Sequence, residues 1–84
     1  MGLTLDMPTL RFYTTSGCTL CEQRLAQLTP IAKRLNYPLE VIDIMDDLSA
    51  EKAYAECIPV LVRSDRKTPL SGAFDAAAIY RFLT

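Results

Sequence analysis

The sequence contains no histidine and no tryptophan, and only three of its 84 residues are cysteine. Without histidine, a metal site built from four protein ligands would need acidic side chains or a second chain to complete it. Three unevenly spaced cysteines are also too few for the disulfide framework of a small secreted protein. Thiol–disulfide exchange, by contrast, needs two thiols but neither a histidine nor a cofactor.

A basic block, a long apolar run and a leader sequence are also lacking. Nine Lys and Arg residues against ten Asp and Glu give a net charge of −1, which argues against nucleic acid or an anionic membrane as a partner. No apolar run approaches the roughly 18 residues of a membrane span, and residues 1–7 do not resemble a signal peptide. We therefore expect a cytoplasmic monomer whose partner is a protein or a small molecule.

A single Cys-x-x-Cys sequence, Cys18 to Cys21, lies between an apolar strand at residues 9–14 and a helical pattern. The apolar residues that follow recur at alternating steps of four and three, which predicts one stripe along a helix to about residue 35: Cys21, Leu25, Leu28, Ala32 and Leu35. Cys21 belongs to this stripe, whereas Cys18 precedes it. The pattern therefore predicts that Cys18 faces solvent at the helix N-terminus and that Cys21 lies against the core.

The predicted position of Cys18 bears on its reactivity. Unpaired backbone N–H groups and the positive end of the helix dipole both favour the thiolate over the thiol. Only the thiolate attacks a disulfide, so we predict that Cys18 is the nucleophile and Cys21 the resolving thiol. Two other interpretations stay open: the pair could be half of a zinc or iron–sulfur site, or it could be merely structural.

The remaining elements alternate between helix and strand. Pro30 falls inside the predicted helix and indicates either a kink or an early end. Residues 39–44 form a mostly apolar strand of the kind that is covered on both faces. A short helix is predicted at residues 50–55, and residues 59–64 and 68–71 flank a polar turn as a hairpin.

The last element begins with clear capping signals. A terminal helix is predicted at residues 76–83, with Asp75 as a candidate N-cap. Phe74 before the cap and Ile79 within the helix occupy the two positions of a hydrophobic staple. The whole order is βαβ followed by ββα. It predicts an α/β fold with a four-stranded mixed sheet and helices on both faces, and the length leaves room for one domain.

These motifs resemble those of the glutaredoxins, within the thioredoxin fold. Residues 13–21 look like their strand-to-helix active site, residues 58–60 like their cis-proline loop, and residues 71–75 like their Gly-Gly-x-x-Asp turn. The similarity covers residues 9–83 and is nearest to small glutaredoxin-like proteins of bacteria. It implies a single glutaredoxin-like domain over residues 1–84, with residues 1–8 as a short N-terminal extension.

The resemblance also implies an activity and a site. It implies a thiol–disulfide oxidoreductase that uses Cys18 and Cys21, has no bound cofactor, and takes glutathione as co-substrate or a disulfide-containing protein as substrate. A cis Ile58–Pro59 bond would turn the Ile58 backbone toward an extended substrate, although an ordinary trans proline is the alternative. Gly72 and Asp75 would hold the glutamyl end of glutathione, or would be simply a bulge glycine and a helix cap.

Three positions depart from the family pattern. Thr15 replaces a lysine that would lower the thiol pKa and attract glutathione, and Thr19-Leu20 replaces Pro-Tyr between the cysteines. Cys57 replaces a threonine, and is predicted to be either a half-buried space-filling residue or a third redox thiol. These departures keep a second hypothesis open, a thioredoxin-fold binding or carrier module without turnover that holds a glutathione-assisted iron–sulfur cluster or docks a protein.

Overall fold

The structure, a computed structural model, describes residues 7–72 and 74–84, so most of the predicted N-terminal extension lies outside it. Each predicted helix and strand is present, with its ends within two residues of the prediction. A short 3₁₀ helix, which was not predicted, follows the second strand. In chain order the elements are β1 (Leu10–Thr14), α1 (Thr19–Arg34), β2 (Leu39–Asp43), the 3₁₀ helix Ile44–Asp46, α2 (Leu48–Tyr54), β3 (Val60–Arg63), β4 (Leu70–Ser71) and α3 (Ala76–Leu83).

The four strands form one mixed sheet in the order β2-β1-β3-β4. β1 is parallel to β2, with Thr14 opposite Asp43, and antiparallel to β3, with Tyr13 opposite Val60. β4 pairs with the start of β3, where Ser71 lies opposite Val60. This arrangement confirms the predicted α/β fold. It also brings the end of β1, the start of β3 and the end of β4 to one end of the sheet.

The core consists of two clusters, one on each face of the sheet. Alternation along β1 directs Leu10 and Phe12 toward a cluster that includes buried residues of α1 and α3. Tyr13 and Val60 belong to the other cluster, where they meet Ala50 of α2. The helices therefore lie on both faces, as the sequence predicts.

Helix α1 follows its predicted apolar stripe and continues through Pro30. Cys21, Leu28 and Ala32 are buried, and Leu25 and Leu35 pack against the same cluster as half-buried residues. The helix ends where Asn36 adopts a left-handed conformation with φ of 63°. The N–H of Tyr37 then donates to the carbonyl of Ala32 at 2.9 Å, which satisfies one of the last carbonyls of the helix.

The prediction that β2 is covered on both faces is wrong. β2 is an edge strand, and Val41 keeps 50% of its surface exposed although it shares a sheet face with Phe12, its partner in the register. In the described part of the chain β1 is the only strand that flanks β2, and the helices that cover Phe12 do not extend over Val41. An apolar run indicates a strand, but whether the strand lies at the centre or the edge depends on the pairing of the whole sheet.

The C-terminal end of α3 accepts hydrogen bonds from two side chains elsewhere in the chain. Tyr37 donates from its hydroxyl to the carbonyl of Leu83 at 2.6 Å, and Arg63 donates from Nη1 to the carbonyl of Phe82 at the same distance. Arg63 is almost fully buried and its guanidinium lies 5.5 Å from the ring centre of Tyr37. These contacts satisfy carbonyls that a helix leaves unpaired at its end, and they place a cation at the negative end of the helix dipole.

Asp65 accepts the remaining hydrogen bonds of the Arg63 guanidinium that the structure shows. Its two carboxylate oxygens accept hydrogen bonds from Nε and Nη2 of Arg63, each at 2.9 Å. The hydrogen bond from Arg63 holds the pKa of Asp65 below its ordinary value. The pair therefore stabilises the fold fully above the ordinary carboxyl pKa, and this stabilisation is lost as the pH falls through the lower pKa of the folded state.

Among the described helices, none combines the length and the apolar character that crossing a bilayer requires.

The bond from Tyr37 to α3 predicts a measurable loss of stability when its hydroxyl is removed. Tyr37→Phe leaves the carbonyl of Leu83 without that partner in a buried place, so the free energy of unfolding in urea should fall by about 1–2 kcal/mol. Tyr80→Phe removes a hydroxyl from a half-exposed position on α3, and should change the free energy of unfolding by less than about 0.5 kcal/mol. Equal effects of the two variants would show that the Tyr37 bond does not secure the helix.

Candidate active site

The site is organised by the first turn of α1. Cys18 is the N-cap residue, with extended backbone angles, and its carbonyl accepts the first helical hydrogen bond from the N–H of Glu22 at 3.1 Å. Its sulfur accepts a hydrogen bond from the N–H of Cys21, also at 3.1 Å. The sulfur of Cys18 thus takes the place that a serine or aspartate oxygen usually takes at a helix N-terminus. The loop before it turns through Gly17, whose φ of 81° is favourable for glycine.

Cys18 and Cys21 form a disulfide, and their Cα atoms are 5.2 Å apart. Cys21 is completely buried in the cluster beneath α1, whereas Cys18 is half-buried and packs at the margin of that cluster. The two sulfurs therefore differ in access although only two residues separate them. This is the difference that the apolar stripe predicts.

The loop that precedes β3 lies at the same end of the sheet. Its Ile58–Pro59 peptide bond is cis, Pro59 is fully buried, and Ile58 packs against both core clusters. Cys18 also packs against the first of these clusters, and Val60 pairs with Tyr13 just before the active-site turn. The structure therefore places the proline loop and the N-terminus of α1 at the same end of the sheet.

Tyr54 fixes this loop, a role that the sequence analysis missed. Its carbonyl accepts hydrogen bonds from the N–H groups of Cys57 and Ile58, at 2.8 and 3.1 Å. Its ring lies 4.8 Å from that of Tyr13, centre to centre. A tyrosine near the end of a short helix is not distinctive in sequence, so only the packing of α2 on the sheet reveals this support.

The expectation of a half-buried Cys57 is wrong, because its side chain is exposed and its thiol is free. Cys57 lies in the turn after α2, where the next two residues, Ile58 and Pro59, supply the apolar contacts with the core. Its side chain therefore does not fill interior volume. The alternative, that Cys57 is a third redox thiol, stays a prediction.

Gly72 and Asp75 follow β4 at this end of the sheet. The N–H of Gly72 donates to the carbonyl of Cys57 at 3.4 Å, which joins the two loops, and Gly72 has a φ of 81°. A β-carbon at Gly72 would meet no atom within 4 Å, so the backbone angle rather than crowding favours glycine here. Asp75 caps α3 by accepting from the N–H of Ala78 at 2.9 Å, as the sequence predicts. Residue 73 of this turn lies outside the described part of the chain.

The structure also shows the positions of the other residues that the sequence analysis singled out. The staple residues Phe74 and Ile79 are both buried in the first cluster. Thr15, one of the three positions that depart from the glutaredoxin pattern, is half-buried in the turn before Cys18. Within residues 7–72 and 74–84, no three His, Cys, Asp or Glu side chains lie close enough together to hold a metal ion.

Comparison with known proteins agrees with this geometry. Residues 9–84 match the family model of the glutaredoxin-like domain (DUF836), whereas no curated protein matches significantly. Protein Ne2328 from Nitrosomonas europaea, solved by NMR, is 28% identical with a TM-score of 0.74, and each chain is covered completely. The X-ray structure of target protein XcR50 from X. campestris is 31% identical with a TM-score of 0.68, covering 89% of this chain and 95% of the other.

A third solved structure concerns the fold alone. A point mutant of thioredoxin from Halobacterium salinarum NRC-1 has a TM-score of 0.77 at 17% identity, covering 93% of this chain and 73% of that one. The match to the glutaredoxin-like domain and the Cys18–Cys21 pair together support a redox role. On the match over residues 9–84, the chain belongs to the glutaredoxin-like domain (DUF836) family.

Proposed function

We propose that the protein is a thiol–disulfide oxidoreductase in which Cys18 is the nucleophile and Cys21 the resolving thiol. One observation carries this proposal: the sulfur of Cys18 accepts the N–H of Cys21 at the N-terminus of α1. In the reduced protein the same N–H and the helix dipole stabilise a thiolate at Cys18. Cys21 is fully buried and has no such access to an external disulfide.

The reaction consists of two exchange steps. The thiolate of Cys18 attacks one sulfur of a substrate disulfide, forms a mixed disulfide, and releases the other substrate sulfur as a thiolate. The thiolate of Cys21 then attacks the sulfur of Cys18, closes the Cys18–Cys21 bond, and releases the second substrate thiolate. The substrate gains two electrons and the protein loses two. Two molecules of glutathione return these electrons and leave as glutathione disulfide.

The proline loop supplies the binding surface for the substrate in this proposal. Ile58 and Pro59 lie at the same end of the sheet as the N-terminus of α1 and precede β3 directly. An extended segment that carries the disulfide would donate a backbone N–H to the carbonyl of Ile58, whose own N–H already donates to Tyr54, while its sulfur meets Cys18. Recognition through backbone groups accepts substrates of different sequence.

Glutathione would be held by the turn after β4. Asp75 is exposed and uses Oδ1 to cap α3, so its second oxygen is left to bind the ammonium of the glutamyl group. Gly72 joins this turn to the carbonyl of Cys57 and keeps it next to the proline loop. Because Thr15 contributes no charge, binding depends more on Asp75 than in relatives that have a lysine there. Glutathione as co-substrate suits the reducing cytoplasm.

Turnover of a glutathione mixed disulfide tests the proposed activity. Cys18→Ser should reduce turnover to the uncatalysed rate, because no nucleophile remains at the helix N-terminus. Cys21→Ser should keep this turnover, because a second glutathione can resolve the mixed disulfide. With a protein disulfide as substrate, the same variant should stop at the mixed disulfide and release no reduced protein. Cys57→Ser is the matched thiol control and should stay within about twofold of wild type.

The same preparations separate the carrier hypothesis from the enzyme. A protein that is brown with visible absorbance after anaerobic purification, and that shows no turnover above background, would contradict the oxidoreductase proposal. Colourless protein with turnover that depends on Cys18 would contradict the carrier.

A change at Asp75 tests the glutathione site without removing the helix cap. Asn caps a helix about as well as Asp, so Asp75→Asn should leave the free energy of unfolding within about 0.5 kcal/mol of wild type. Loss of the charge should raise the KM for glutathione by roughly 3- to 10-fold. Asp47→Asn makes the same change at the N-cap of α2 and should leave the KM unchanged. A KM that is insensitive to Asp75→Asn would remove Asp75 from the binding site.

A further inference from the structure

A second concave feature lies between the β3–β4 turn and the end of α3. We call it the hairpin groove. Its volume is about 510 Å³, within the range of small-molecule sites, and its walls are Arg66, Lys67, Thr68, Pro69, Leu70 and Phe82. None of these residues belongs to the proposed redox site.

The hairpin groove lies at the opposite end of the sheet from Cys18. β3 begins beside the end of β1 and finishes with Arg63 opposite Leu10, where β1 begins. Ser64 extends this pairing by donating its N–H to the carbonyl of Thr9 at 3.0 Å. The turn that carries the groove follows directly, so the length of the sheet separates it from the cysteines.

The walls of the hairpin groove carry a net positive charge. Asp65 is the only acidic residue of the turn, and both its oxygens are bound by Arg63. Within residues 7–72 and 74–84, neither Arg66 nor Lys67 takes part in an ion pair, and both side chains are exposed. Two cations therefore remain at the mouth of the groove in a chain whose net charge is −1.

The rest of the wall is apolar. Pro69, Leu70 and Phe82 are all half-buried, and each of them leaves part of its surface open to the groove. The guanidinium of Arg66 lies 5.8 Å from the ring centre of Phe82, so a cation stands at the edge of the apolar surface. A ligand that matches this wall needs an anionic group next to an apolar one.

We propose that the hairpin groove binds an amphipathic monoanion, a carboxylate that carries a short aliphatic or aromatic group close to it. The carboxylate lies between Arg66 and Lys67, and the apolar group packs against Phe82 and Leu70. A free carboxylic acid and the C-terminal residue of a peptide share this chemistry. The site is separate from the cysteines, so binding does not require the redox activity.

Titration of the full chain with hexanoate, followed by amide NMR at pH 7 and low ionic strength, tests this proposal. We expect saturable shifts at residues 66–68, 70 and 82, and at least about tenfold weaker binding of acetate, which lacks the tail, and of hexanol, which lacks the charge. Shifts that do not saturate, or that centre on Cys18, would overturn the proposal. So would equal affinities for hexanoate and hexanol.

Charge variants locate the binding. The double variant Arg66→Gln with Lys67→Gln should weaken hexanoate binding by at least about tenfold. Lys33→Gln with Arg34→Gln removes another adjacent pair of exposed cations and should leave the affinity within about twofold. Cys18→Ser should also bind hexanoate normally, which separates this result from a failure of the proposed redox function. Unchanged affinity in the Arg66/Lys67 variant would contradict the proposal.

Two further probes distinguish the sources of the anion. N-acetylphenylalanine imitates the C-terminal end of a peptide. N-acetylphenylalanine amide has the same shape, but a carboxamide replaces its carboxylate and the charge is lost. Binding of the acid but not the amide supports a peptide terminus as a ligand, whereas binding of hexanoate alone supports a free aliphatic acid. Equal binding of the acid and the amide would contradict recognition of the carboxylate.

Discussion

The hydrogen bond from the N–H of Cys21 to the sulfur of Cys18 links the fold to the chemistry. It exists because α1 begins at the residue after Cys18, so that this sulfur caps the helix. One turn further on, Cys21 faces the core and is completely buried. A shift of the helix start by one residue would move both thiols away from these places. The length of the turn between β1 and α1 therefore sets the difference in burial between the two sulfurs.

The rest of the candidate site depends on the register of the sheet. Val60 pairs with both Tyr13 and Ser71, so the loops that flank these residues reach the same end of the sheet. The Gly72–Cys57 hydrogen bond then joins the turn after β4 to the proline loop. Strand pairing and this hydrogen bond thus bring segments that are distant in sequence to the end of the sheet that carries Cys18. The hairpin groove lies at the other end for the same reason, because β3 runs antiparallel to β1.

Features that depend on local sequence were predicted well. The stripe of α1, the cap at Asp75 and the staple of Phe74 with Ile79 each follow from residues within a few positions of one another, and each is found in the structure. The exposure of Val41 and Cys57 was predicted wrongly, because burial depends on which elements cover a residue. The bonds of Tyr37 and Arg63 to α3 were missed, since they join parts of the chain that only the packed fold brings together.

The central claim is that the start of α1 makes Cys18 the reactive thiol and keeps Cys21 inaccessible. Limiting iodoacetamide at neutral pH, applied to the reduced Cys57→Ser variant so that the exposed third thiol does not compete, tests this claim most directly when the labelled peptides are mapped. Cys18 should be alkylated well before Cys21, because it combines access with a stabilised thiolate. Labelling of Cys21 first, or of both thiols at the same rate, would contradict the account.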